Sequence, residues 1–143
     1  MDNVLTRRQD VAGLARLLGD FGGPAVRRIA AGHLVTCRAH AATASDMGFE
    51  VLNGGRRRQG ADGLLIRHAS RQAQRGALHF WVASNDGAFS RIAELGYLTV
   101  LTLDETRVSA RLRAAAIAVI SLRRAANEWR THYENCVPYT WPA

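Results

Sequence analysis

The sequence predicts one α/β domain built on a parallel sheet with helices on both faces. Three observations carry this expectation. Short apolar runs alternate with stretches of helical period, the order that parallel βαβ units produce. Glycines such as Gly19, Gly48 and Gly76 stand where the helical stretches end. An acidic residue, Asp86, follows two positions after the apolar run that closes at Ser84. In open α/β sheets that carboxyl edge is where ligands collect.

Each element has its own signal. Val11, Leu14, Leu17 and Leu18 form a helical stripe, with Asp10 as N-cap and Gly19, Gly22 and Gly23 as the stop. Pro24 leads into a short strand over residues 25–30. Leu34 to Met47 is Ala-rich with helical spacing, and Phe49 to Leu52 reads as the next strand. Asn53 to Gly60 is a loop by its glycine and charge. Ala61 to Gln74 is a helix with Leu64, Leu65, His68 and Ala69 on one side. Leu78 to Ser84 is the strongest strand, and a helix from the Asp86 corner runs to Leu95. A strand over Leu98 to Leu103, an Arg-bearing helix over Val108 to Ala115 and a last strand over Ala116 to Leu122 complete the sheet. Right-handed crossovers are expected throughout. The domain therefore covers residues 1–122. Residues 123–143 read as a C-terminal helix to about Glu134 and then an aromatic arm.

The chain has 143 residues, a net charge of +7 and an apolar fraction of 48%. That length and composition suit a single globular core rather than disorder. No apolar stretch is long enough to cross a bilayer, and Met1 to Leu5 lacks a signal peptide's basic and apolar regions. The expected compartment is the cytoplasm, with no membrane partner. All nineteen basic residues are Arg. Guanidinium forks match phosphate geometry, so nucleic acid is a fitting partner; a GC-rich coding bias produces the same composition. Cys37 and Cys136 lack metal spacing and are expected as thiols.

Three pieces taken together resemble the NYN branch of the PIN-like nucleases. Ser84-Asn-Asp-Gly-Ala-Phe89 is similar to that family's Ser-x-Asp-x-x-Phe corner. Arg56-Arg-Arg-Gln-Gly-Ala-Asp62 is similar to its basic loop and the Asp opening the following helix. Asp2-Asn3 resembles the end of an opening Asp-x-x-Asn motif. The resemblance covers roughly residues 1–122 and implies a PIN-like fold and a Mg²⁺- or Mn²⁺-dependent ribonuclease. It assigns Asp62 and Asp86 to catalysis and metal, with Asp2 as a further ligand. Arg56, Arg57 and Arg58 would meet the RNA backbone, while Asn3, Ser84 and Asn85 support the site. The family's opening Asp would fall one residue before Met1. The resemblance therefore implies a sheet without its first central strand, or one filled by the N-terminus, the tail or another chain. A homo-oligomer is compatible with this.

The residue types suit the chemistry, because hard carboxylate oxygens hold Mg²⁺ or Mn²⁺ at a phosphodiester. Other readings stay open. Asp86 and Asp62 each suit a helix N-cap, and the Arg loop suits a solvated surface. Ala88 and His68 stand where many family members carry acids, so a non-catalytic RNA- or protein-binding member is the alternative. His33, His40, His79 and His132 form no metal spacing, and no nucleophile elbow surrounds Ser84. Asp2-Asn-Val-Leu-Thr6 with Val82-Ala-Ser-Asn85 also resembles motifs of haloacid-dehalogenase-type phosphatases, a third reading.

Overall fold

The computed structural model describes residues 27–57, 59–125 and 128–135. The backbone divides into two compact units, Met1–His68 and Ala69–Ala143. The expected helix over Val11 to Leu18, and residues Asp2, Asn3 and Arg58, lie outside the described residues. Mixed α/β structure with mainly parallel pairing is present in both units.

In the first unit, β1 (Ile29–Gly32) pairs in parallel with β2 (Glu50–Asn53). Between them runs α1 (Leu34–Asp46). The β1 strand begins four residues later than the expected strand over 25–30. His33, not foreseen, caps α1 by accepting the Val35 N–H on Nδ1. Ala31, Cys37 and Ala44 are buried, and the Cys37 thiol, a free cysteine, donates toward the Gly32 carbonyl oxygen at 3.3 Å. The helix α2 (Gly60–Gln74) begins in this unit.

Arg27 Nη2 donates to Glu50 Oε2 at 2.8 Å, and that hydrogen bond holds the Glu50 carboxyl below its ordinary range. A depressed carboxylate pKa stabilises the fold above the unfolded value, and the effect is lost as pH falls through the lowered one. The pair is exposed, so its contribution is small. Arg27→Ala is expected to return Glu50 upward in an NMR titration.

The second unit holds a sheet in the order β3-β4-β5-β6. Its strands are β3 (His79–Ala83), β4 (Tyr97–Thr102), β5 (Ala118–Ala125) and β6 (Glu128–Asn135). The first three run parallel and β6 is antiparallel to β5. Leu98 to Thr102 are all buried, as expected of a strand covered on both faces. Leu98, Val100, Leu101, Leu112, Val119 and Leu122 form the core of this unit. A 3-10 helix, Gly87–Glu94, joins β3 to β4. The helical pattern read from the sequence is present there, but in the tighter form: Phe89 and Ile92, three apart, are both buried, and that spacing eclipses in a 3-10 turn. A second 3-10 turn, Glu105–Arg107, precedes α3 (Ala110–Ala115), capped by Ser109.

The tail corrects the sequence reading. A helix was expected from residue 123 to about Glu134, but β5 continues to Ala125 and β6 folds back along it, with Ala125 opposite Glu128. Two physical reasons favour this. Trp129, Thr131 and Tyr133 alternate, which is strand period with strand-favouring side chains. The outer edge of β5 also presents backbone groups that β6 satisfies. No helix among the described residues is long and apolar enough to cross a membrane.

Candidate functional site

The carboxyl edge of the β3-β4-β5 sheet is built from short polar side chains that turn the chain. Past Ala83, the Ser84 hydroxyl accepts the Asp86 N–H at 3.1 Å, and Asp86 Oδ1 accepts the Ala88 N–H at 2.8 Å. Asp86 thus caps the 3-10 helix. Asn85 ties this corner to its neighbours. Its Oδ1 accepts the Thr102 hydroxyl at 2.7 Å, and its carbonyl accepts the Ser109 N–H at 3.0 Å. The corner therefore joins the ends of β3 and β4 to the start of α3.

The end of β4 repeats the device. Thr102 Oγ1 accepts the Asp104 N–H at 3.1 Å, and Asp104 Oδ1 accepts the Thr106 N–H at 3.1 Å. Ser84-x-Asp86 and Thr102-x-Asp104 are thus the same turn on adjacent parallel strands. Each Asp lies three residues beyond the matched pair Ala83 and Leu101. Two carboxylates stand at one sheet edge, Asp86 half-buried and Asp104 exposed.

A further polar group lies beside them. Glu105 Oε2 accepts the buried Ser121 hydroxyl at 2.6 Å and faces His132 Nδ1 at 3.3 Å. Arg113 donates to the Glu105 carbonyl oxygen at 2.6 Å and pairs with Glu134 of β6. The tail hairpin is thereby fastened to the turn that carries Asp104.

Asp62, Arg56 and Arg57 belong to the first unit. Asp62 sits in the first turn of α2, where a carboxylate favours the helix dipole. The loop before it is held down closely. The Gly54 N–H donates to the Gly32 carbonyl oxygen at 2.9 Å, and the Leu34 N–H donates to the Gly55 carbonyl oxygen at 3.0 Å. A Cβ at Gly54 would stand 2.6 Å from Ala61 N, so glycine is required by this approach. Arg56 and Arg57 are exposed on the loop.

Of the residues singled out from the sequence, Ser84, Asn85 and Asp86 form one corner. Asp62, Arg56 and Arg57 share one strand–loop–helix connection. Ser84 and Asn85 build the turn, with their oxygens occupied by protein donors. The sequence reading missed Thr102 and Asp104, although the signal was present: a hydroxyl residue and an Asp two positions later, at the end of an apolar run. Glu105 and His132 carry no local signal, because their pairing depends on β6.

Among the described residues, no group of three or more His, Cys, Asp or Glu could hold a metal ion. Mg²⁺ commonly takes one or two carboxylates and keeps its remaining waters. The donors at the two corners are oxygen alone, which suits Mg²⁺ or Mn²⁺ rather than a thiolate- or imidazole-bound metal. Comparison with known proteins found no matching family model, no similar curated protein and no similar solved structure.

Proposed function

We propose that this chain is a metal-dependent ribonuclease of the NYN type, with a PIN-like fold, that hydrolyses RNA phosphodiesters. The observation that carries this reading is the pair of acidic corners, Asp86 and Asp104, on adjacent parallel strand ends. The family resemblance adds Asp62 as a second assigned ligand, Asp2 and Asn3 at the opening motif, and Arg56 to Arg58 as phosphate contacts.

The chain's own residues have distinct tasks in this reading. Asp86 spends Oδ1 on the Ala88 N–H, so the carboxylate is fixed in direction before any ligand arrives. Asp104 is fixed in the same way by Thr106. Pre-oriented charge of this kind lowers the reorganisation needed in the transition state. A divalent ion held by such oxygens supplies Lewis-acid chemistry, neutralising phosphate charge and making water a better nucleophile. The exposed guanidinium groups of Arg56 and Arg57 attract the RNA backbone with a salt-sensitive affinity.

A second reading has a specific observation behind it. Asp86 Oδ1 and Asp104 Oδ1 are already engaged as caps, which is all a non-catalytic RNA-binding member would need of them. Labelled RNA incubated with the protein separates the two. The nuclease cuts it in Mn²⁺, stops on addition of EDTA, and resumes when Mn²⁺ is restored in excess. Binding without cleavage under all three conditions supports the binder and sinks the nuclease. Turnover of a generic phosphomonoester with RNA left intact would instead favour the phosphatase reading.

A further inference from the structure

We propose that His132 and Glu105 form an acid–base dyad at the carboxyl edge, with His132 giving a proton to the oxygen that leaves during RNA cleavage. This role rests on the nuclease reading above. It begins from the register of the sheet. Thr102 of β4 lies opposite Ser121 of β5, and Ser121 lies opposite His132 of β6. Residues matched across neighbouring strands project to the same side of a sheet. Ser84 stands one residue beyond the Ala83–Leu101 match, and so next to Thr102. A polar row thus runs across β4, β5 and β6, from the Asp86 corner just past β3 to His132.

Burial along that row is graded. Thr102 and Ser121 are 2% and 1% exposed. The Glu105 side chain is 18% exposed and that of His132 52%. The carboxylate therefore sits at the dry end and the imidazole at the wet end. Glu105 Oε2 is held by the Ser121 hydroxyl, and the Glu105 backbone is held by Arg113. A carboxylate fixed against Nδ1 selects the tautomer with its proton on Nδ1 and supports the imidazolium when it forms. The other ring nitrogen, Nε2, is then directed away from Glu105.

Among the described side chains, charged groups come toward His132 from three elements. Glu105 faces it from the 3-10 turn. Arg113 comes from α3 and reaches both Glu105 and Glu134. Arg130 and Glu134 flank it at alternate positions on β6 itself. Two strand spacings, roughly 10 Å, separate β4 from β6, so His132 stands on the same edge as Asp104 without being bonded to it.

The step balances as a hydrolysis. Water oxygen bonds to phosphorus while the phosphorus–oxygen ester bond breaks. The departing ester oxygen takes the proton from His132 Nε2. The proton lost by the attacking water goes to bulk solvent, from which His132 is reprotonated.

Steady-state cleavage of labelled RNA in Mn²⁺ tests the role, with ¹⁵N spectra of neutral His132 as an activity-free readout. His132→Ala is expected to lower kcat about 10²-fold with KM unchanged, and added imidazole is expected to restore part of the loss. The wild-type spectrum is expected to show the Nδ1–H tautomer. A variant as active as wild type, a loss that imidazole does not repair, or an Nε2–H tautomer overturns the dyad while the nuclease reading stands. Wild-type protein that leaves RNA uncut in Mn²⁺ overturns the nuclease reading, and this role with it.

Discussion

Asp86→Asn is expected to lower Mn²⁺-dependent RNA cleavage by about 10³-fold, equivalent to about 4 kcal/mol of barrier. The same change should leave thermal unfolding almost where it was. Both expectations come from one side chain with an observed job, the cap, and a proposed one, the metal ligand. As a cap, Asp86 needs only an acceptor for the Ala88 N–H, 2.8 Å away, and asparagine offers an equivalent oxygen at the same position. As a ligand it needs the negative charge, which asparagine lacks. Asp86→Ala removes both and should add a stability loss of about 1 kcal/mol to the lost activity. Rates and unfolding midpoints on the three proteins separate the jobs. If Asp86→Asn keeps more than a tenth of the wild-type rate, the corner is a cap only. The repeated turn at Thr102-x-Asp104 makes the comparison more informative, because Asp104→Asn preserves its own cap toward Thr106 in the same way.

What could be read from the sequence was local in origin. The strand β3, the acidic corner after it and the strand β4 all follow from apolar runs ending in turn-forming polar residues. The helix α2 follows from its period, α1 from its alanine content, and both end close to a glycine. The expected parallel order of strands is present within each unit. The parts that could not be read depend on pairing between distant segments. His132 gains a role only because the antiparallel register sets it beside Ser121, whose hydroxyl meets Glu105. Nothing near His132 in the chain announces that. The tail depends on pairing as well: Trp129, Thr131 and Tyr133 alternate as a strand does, and the free edge of β5 supplies the partner that makes β6. Asp104 is a different case: its Thr-x-Asp signal at the end of an apolar run is as local as that of Ser84-x-Asp86.

Gly96→Ala is expected to destabilise the protein by about 3 kcal/mol, lowering its unfolding midpoint by roughly 10 °C. Gly96 immediately precedes β4, where the Tyr97 N–H donates to the Leu78 carbonyl oxygen at 2.8 Å. A Cβ at position 96 would overlap that same carbonyl oxygen and come within 3.1 Å of both the Leu78 carbonyl carbon and Phe80 Cε2. The obstruction is mostly backbone, so no rotamer change relieves it. Relief requires the start of β3 to move away from β4, which weakens the ladder from His79–Tyr97 onward. Because β4 is a buried interior strand, the disturbance reaches Leu98, Val100 and Leu101 in the core. Gly76→Ala in the same unit supplies the contrast. Gly76 has φ +94 and no atom within 4 Å of its Cβ position, so its cost is backbone strain alone, about 1 kcal/mol. Chemical denaturation of the two variants should therefore rank Gly96→Ala well below Gly76→Ala. Equal losses would mean that the close approach of Gly96 to Leu78 does not constrain the sheet.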